Sequence, residues 1–344
     1  MEAVPRKPAT IRDVARLAGV GLGTVSRVIN DSPQVSDGTR ARVHQAIEEL
    51  NYVPNPTARR LSLGRTLTVA AIAPFFTRPS ITERLRGIEN TLAESEYDLI
   101  IFNVETVERR DELIREVPRR ERVDGVLILS VSPRDEDVMI LENAGVPIIL
   151  VDANHPSLTS LNRVIVDDVE GGFIATKYLI DLGHTRIGYV SDYLENEFNF
   201  TSSKFRFKGY RKALEKANIP FRNEFHAQGE HGRYEAYQLS KTLLSIESRP
   251  TAIFASSDTQ AMGVLEAARE LELSVPEELS VVGYDDIEVA EYLGLTTIRQ
   301  SLFESGQRGV ELLLKSFEKS IKEPICDVLP IELVIRSTTA AYVG

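Results

Sequence analysis

From Leu67 onward the chain alternates short apolar runs with helical segments, and this alternation restricts the possible folds more than any other feature of its 344 residues. The runs LTVAAIAP, YDLIIFNV, VDGVLILSV and VPIILVD lack the polar alternation of a sheet with one wet face. A strand that is apolar on both faces belongs in a parallel sheet covered by helices on both sides. ITERLRGIENTLAE, DELIREVPRRER and DEDVMILENAG supply the helices between them. A second series repeats the order: RVIVDD, EGGFIATKYLIDLG, RIGYVSD, FKGYRKALEKAN, EFHAQGE, RYEAYQLSKTLLS, TAIFASSD, AMGVLEAARELE and LSVVGYDD. Two such series predict an α/β body, residues 66–344, made of two doubly wound parallel-sheet lobes. The first lobe is expected over about 66–163 plus 296–324, the second over about 164–295 plus 325–344.

Ligands of such sheets bind beyond the carboxyl ends of the strands. The residues there are notably polar: Phe75 and Phe76 follow the first strand, Asp152 follows VPIILV, and Asp167 and Asp168 follow RVIV. Asp192 ends RIGYVSD, Asp258 follows AIFASS, Asp285 and Asp286 follow SVVGY, and Arg206 lies just before Gly209. Carboxylates accept hydrogen bonds from neighbouring hydroxyls, a guanidinium donates in a fixed fork, and aromatic faces stack on sugar C–H surface. As a set these residues suit a polyol. Taken singly, each Asp fits a helix N-cap and each Phe fits core packing, so the functional reading rests on the set.

Preceding this body, TIRDVARLAGVGLGTVSRVIN (10–30) reads as two helices joined by a tight turn. Thr10 with Asp13 forms a capping pair, and Val14, Ala15 and Ala18 make an apolar stripe. Gly19 supplies the turn, Val25 and Val28 give the second helix its buried face, and Asn30 suits a helix end. This is the helix-turn-helix pattern, whose second helix enters the DNA major groove. A third helix follows from Ser36, with Val43, Ala46, Ile47 and Leu50 buried, completing a head over residues 1–54. Residues 55–65 read as a hinge: Asn55 and Pro56 start a helix of about two turns that Gly64 ends, too short to stand alone in water. Such a segment is expected to fold on contact with a partner.

Charge supports the division. Residues 1–65 carry ten Lys and Arg against six acids, a balance of +4, which leaves −15 on the remainder of a chain whose net charge is −11. A basic head on an acidic body directs nucleic acid to the head. Other classes are disfavoured. No apolar run approaches the ~20 residues of a membrane helix. The MEAVPRKPAT start lacks a signal segment, which points to the cytoplasm. The single Cys326 excludes an internal disulfide and a Cys-based zinc site, and the five histidines show no ligand spacing, so no metal or cofactor is expected. GxGxxG, P-loop and GxSxG patterns are absent. Asp258 and Asp285 could be imagined as a glycosidase pair, but a DNA-binding head on a glycosidase would be odd, and binding is preferred to catalysis.

These motifs resemble the lactose-repressor (LacI/GalR) family of bacterial transcription regulators. TIRDVARLAGVGLGTVSRVIN and NYVPNPTARRL are similar to its head and hinge. DDVEGGFIATKYLIDLGHTRIGYVSD, PTAIFASSD, VPEELSVVGYDD and LTTIRQ are similar to its effector-binding body, a fold shared with periplasmic sugar-binding proteins. The resemblance implies base or phosphate contacts from Leu22, Gly23, Thr24, Ser26 and Arg27. It also implies a minor-groove wedge from Leu61, with Ala58 beside it. Thr10, Asn30 and Asn55 complete the expected DNA-contacting set. Effector contacts are implied at Asp152, Arg206, Asp258 and Asp285, joined by Phe75 and Phe76 from the strand-end reading.

The chain departs from the family pattern in places. Gly21 replaces the usual Ser, and Gly23 has no side chain to read a base. Readout then falls on Arg27 against guanine and Leu22 against a thymine methyl. Arg78-Pro79-Ser80-Ile81 replaces an Asn-Pro-Phe-Phe run, and Asp152-Ala153, Asp167-Asp168 and Ser257-Asp258 replace Asp-Arg, Asp-Asn and Asn-Asp. A relative's effector is therefore not transferable.

The expected protein is a homodimeric repressor of a carbohydrate-utilisation operon, bound to a near-palindromic operator and controlled by a sugar-like effector between its lobes. The alternatives are nucleobase corepression within the same family, a plain solute-binding protein, and a sugar-processing enzyme. Replacing Leu61 with Ala is expected to weaken specific DNA binding while leaving effector binding intact. Parallel titrations of operator and effector check this, and equal loss of both would count against the wedge.

Overall fold

The computed structural model describes residues 9–55, 60 and 63–343, and the chain divides into two compact units at Leu67/Thr68. Within the first unit, helices α1 (Ile11–Ala18), α2 (Leu22–Ile29) and α3 (Asp37–Glu49) bury Val14, Ala15, Ala18, Val25, Val28, Val43 and Ala46 against one another. The Thr10 backbone N–H and hydroxyl both donate to Asp13 Oδ2, at 3.0 and 2.7 Å, fixing the start of α1. Gly19 ends α1 with φ 66°, a left-handed conformation that costs a side chain-bearing residue and lets α2 turn away at once.

The second unit holds two six-stranded sheets. In the first, β1 (Thr68–Pro74), β2 (Asp98–Val104), β3 (Gly125–Leu129), β4 (Ile148–Val151), β5 (Asn162–Ile165) and β11 (Cys326–Val328) lie in the order β2-β1-β3-β4-β5-β11, every pair parallel. The second is ordered β7-β6-β8-β9-β10-β12, from β6 (Ile187–Asp192), β7 (His226–Gly229), β8 (Ala252–Ala255), β9 (Ser280–Asp285), β10 (Thr296–Gln300) and β12 (Ile331–Val334). Its edge strand β12 runs antiparallel to β10, so this sheet is not wholly parallel.

Both faces of each sheet are covered, which explains the unbroken apolar runs. Val69, Ala71 and Ala73 of β1 enter one core, while Ala70 and Ile72 enter the opposite one, as the two-residue period of a strand requires. In the second sheet Ile253 and Ala255 of β8 face one core, and Ala252 and Phe254 the other.

The lobe boundaries differ from those expected. RVIV, expected to open the second lobe, is β5 of the first sheet, paired with β4 at Ile149–Asn162 and with β11 at Arg163–Cys326. Residues 296–300, expected in the first lobe, are β10 of the second sheet, and β11, expected in the second lobe, closes the first. Strand–helix alternation orders the elements along the chain but carries no information on which sheet edge a strand joins, and here the chain crosses between lobes three times.

Two helix pairs set the geometry of the region between the lobes. In the first lobe α4 (Pro79–Leu92) packs on α12 (Leu302–Phe317), and in the second α7 (Asp168–Asp181) packs on α8 (Ser202–Lys216). Glycines bring the backbones together. A Cβ on Gly306 would lie 2.1 Å from the Arg84 carbonyl oxygen, and one on Gly172 would lie 2.1 Å from that of Arg206. Gly87 meets Phe303 and Gly209 meets Val169 in the same way. Gly209→Ala gains up to about 1 kcal/mol of helix propensity. It should nevertheless destabilise the body by roughly 1–3 kcal/mol, because backbone rather than a pliable side chain occupies the space. Denaturant unfolding of the variant checks this.

Candidate nucleic-acid interface and ligand cleft

The α2 helix has two faces. Val25 and Val28 are buried, whereas Leu22, Gly23 and Arg27 are exposed, Leu22 at 45%, and Thr24 and Ser26 are half-buried. Leu22 with Ser26, and Gly23 with Arg27, are four apart, so they project as one surface. Arg16 is drawn onto Asp13 at 3.1 Å, and Arg40 onto Asp31 at 3.0 Å. Asn30 caps the end of α2 with its side-chain oxygen buried and unpartnered, and Asn55 is exposed. Ala58 and Leu61 lie outside the described residues.

In the body a cavity of about 80 Å³ opens between the two sheets at their carboxyl ends. Pro74 ends β1 and Ser130 follows β3, while Asp192 ends β6 and Ser256 follows β8. In each sheet this is the point where the strand order reverses, where doubly wound proteins bind ligands. Arg84, on α4, reaches in from the first lobe, buried at 2% exposure. Its Nη2 lies 2.9 Å from Asp152 Oδ2 and donates to Gln300 Oε1 at 3.1 Å. Ser130 donates to the same Asp152 oxygen at 2.8 Å. Gln300 in turn donates to Asp285 Oδ1. One chain of hydrogen bonds therefore runs Asp152–Arg84–Gln300–Asp285 across the lobes.

Arg206, on α8, is the counterpart in the second lobe. Its guanidinium lies 3.6 Å from the centre of the Tyr284 ring, donates through Nε to Asp168 at 2.7 Å and through Nη1 to the Ser256 carbonyl at 2.6 Å, and has Asp285 at 3.8 Å. These contacts engage Nε and Nη1 of the guanidinium. Burial opposes the charge on Arg206, but Asp168, Tyr284 and Asp285 outweigh it, and its pKa is raised well above the usual value. Burial also raises Asp285, against the pull of Arg206, Arg84 and Gln300. Asp192 shifts the other way: burial opposes ionisation, but His231, Arg78 and the Ser203 hydroxyl overcome it and hold the carboxyl below its usual range. Asp152, Arg206 and Asp285 line the same cavity, and carboxylate acceptors beside a guanidinium donor are matched to a pair of adjacent hydroxyls.

Asp152, Arg206 and Asp285 thus meet in one cavity, as expected from sequence. Asp258 does not join them. It is 0% exposed, with Oδ1 accepting from the Thr297 hydroxyl at 2.6 Å and Oδ2 from the Ile287 backbone N–H at 2.9 Å. The helix it begins, α10 (Asp258–Glu270), turns this first residue toward β9 and β10, and the Ser256 and Ser257 that precede it line the cavity instead. The two phenylalanines also differ from expectation. Phe75 stands at the cavity mouth, its ring 5.5 Å from Phe198, and Phe76 is 43% exposed and lines neither the cavity nor its mouth.

Sequence reasoning missed Arg84, Gln300 and His231, and noted Arg78 only as a departure from the family pattern. Arg84 sits on the apolar face of an otherwise amphipathic helix, between Ile81, Leu85 and Ile88, and that misplaced charge was the available signal. Among the described residues no group of His, Cys, Asp and Glu has the arrangement to hold a metal ion, and no helix is long and apolar enough to cross a membrane.

Comparison with known proteins decides the family. Residues 10–55 match the model of the bacterial regulatory proteins of the lacI family, and residues 176–339 match that of a periplasmic binding protein-like domain. The HTH-type transcriptional repressor PurR of Vibrio vulnificus (strain CMCP6) is 36% identical over 335 residues, 96% of this chain and 98% of its own. This chain belongs to the LacI family. The ribose operon repressor of Escherichia coli (strain K12) is also 36% identical, over 309 residues, 89% of this chain and 92% of its own. Among solved structures, the lac repressor dimer bound to operator and the anti-inducer ONPF superposes with a TM-score of 0.85 at 29% identity, covering 97% of this chain and all of the other. The chain is accordingly a DNA-binding regulator rather than an enzyme.

Two substitutions separate the carboxylates. Asp285→Ala is expected to abolish the response to ligand. Asp258→Asn should instead cost about 1–3 kcal/mol of stability, since one of its two donors then faces an amide N–H₂, while the folded fraction keeps its ligand affinity. Thermal unfolding with and without ligand reads both.

Proposed function

We propose that this protein is a cytoplasmic, homodimeric repressor of a carbohydrate-utilisation operon, released from or held on its operator by a sugar bound between the lobes. The single observation that carries the sugar reading is the meeting of the Asp152 and Asp285 carboxylates with the Arg206 guanidinium in one small cavity. Hydroxyls both donate and accept, and they satisfy such a set without bringing net charge into it. The relatives include both a ribose operon repressor and a repressor named PurR, and the carboxylates of Asp152 and Asp285 beside Arg206 in the inner cavity favour a polyhydroxylated ligand over a purine.

In this reading α2 lies in the major groove. Arg27 reads guanine, Leu22 packs on a thymine methyl, and Thr24, Ser26, Thr10, Asn30 and Asn55 hold the backbone. One head of this size reads few bases, and two-fold pairing doubles the site. Ile100 and Ile101 on the edge strand β2, each 42% exposed, and Tyr292, at 89%, are apolar surface that a second copy would cover. Coupling of about 1–3 kcal/mol between cleft and head would change operator affinity roughly 5–150-fold.

The test begins with duplexes selected from a random library by the purified protein. Arg27→Ala should weaken binding to the selected duplex by about 1–3 kcal/mol and relax preference at one base position per half-site. Fluorescence anisotropy at fixed salt measures it. A uniform loss on all duplexes would make Arg27 a phosphate contact instead.

A further inference from the structure

The cavity between the lobes is the inner of two connected chambers. The outer chamber, about 250 Å³, shares Arg78, Asp192, Phe200 and His231 with the inner one. One of its walls is aromatic. Phe198 and Phe200 stack with ring centres 5.2 Å apart and planes within 3°, and Phe75 meets both edge-on. Arg78 lines both chambers, its guanidinium 4.1 Å from the centre of the Phe75 ring. The remaining wall consists of Tyr193, Glu195, Asn196, Glu197 and Glu230.

The two chambers differ in kind. On the scale where one water needs about 10–15 Å³, the inner chamber holds roughly five to eight waters, the space of a single sugar ring. The outer is about three times larger, and its lining combines aromatic rings with hydrogen-bond acceptors. A second sugar ring matches it, with its C–H face on the aromatic wall and its hydroxyls toward the carboxylates. A phosphate group does not. The outer chamber has Glu195, Glu197 and Glu230 on its rim with Asp192 at its base, and Arg78 is already engaged with Phe75, with burial lowering its pKa.

We propose that the ligand is an unphosphorylated disaccharide, one ring held by Asp152, Arg206 and Asp285 and the second seated in the aromatic outer chamber. This rests on the sugar reading above and narrows it.

The full-length protein is titrated calorimetrically with cellobiose, maltose, lactose, sucrose and trehalose, with glucose, galactose and ribose, and with glucose 6-phosphate and adenosine. At least one disaccharide is expected to bind tenfold or more tightly than either of its component sugars, and glucose 6-phosphate more weakly than glucose. Phe198→Ala should remove most of the disaccharide's advantage while changing the affinity of the component sugar less than twofold. Tyr193→Ala, at a side chain 46% exposed, gives a second reading that does not depend on packing. Asp285→Ala should abolish binding of mono- and disaccharides alike. A monosaccharide that binds as tightly as every disaccharide, or an advantage that survives both aromatic substitutions, overturns the two-ring ligand while the sugar reading stands. Adenosine binding more tightly than every disaccharide assigns the outer chamber to a base and overturns the proposal. If no sugar binds, the sugar reading fails and the proposal with it.

Discussion

The close approach of two helix pairs is the constraint on which the ligand cleft depends. Gly306 lies under the backbone of Arg84 and Gly172 under that of Arg206, so each lobe holds a nearly buried arginine at the end of a helix that cannot slide without backbone collision. Burying a guanidinium is costly unless it is paired, and both are paired: Arg84 with Asp152 and Gln300, Arg206 with Asp168, Ser256 and the face of Tyr284. The glycines fix where the charges stand, and the charges fix which carboxylate oxygens stay free. A preorganised polar cavity of this kind selects its ligand through the few valences left open rather than through its bulk.

Much of this was legible in the sequence, but unevenly. The head was fully readable because it is local: capping by Thr10 and Asp13, the left-handed turn at Gly19 and the buried faces of three helices are all encoded within about forty residues. The two-lobed body was readable because strands buried on both faces leave no polar alternation. Sheet membership was not: β5 and β10 each pair with the strand that precedes them in the chain, with nothing local to mark where the lobe changes, and β11 joins its sheet through the distant β5, Cys326 beside Arg163. Asp152, Arg206 and Asp285 could be placed at strand or helix ends that face the cleft. Asp258 has the same sequence signature and a different placement, because whether a residue beginning a helix faces the cavity or the sheet is decided by one turn of backbone, and here Thr297 and Ile287 claim both its oxygens.

The hydrogen-bonded chain from Asp152 through Arg84 and Gln300 to Asp285 also bears on how a ligand could be felt at a distance. Gln300 ends β10, immediately before the chain crosses back into the first lobe, and Asp168 begins α7 immediately after an earlier crossing. Both therefore sit where the lobes are tied together. A ligand can shift an equilibrium only by its differential affinity for the two states. Here that difference has a concrete source. A ligand group that engaged Asp285 would compete with Gln300 and Arg206, and Gln300 is itself bonded to Arg84 in the opposite lobe. Residues that line the cavity and residues at the lobe crossings are thus partly the same residues, so substitutions within this chain of bonds are expected to be non-additive.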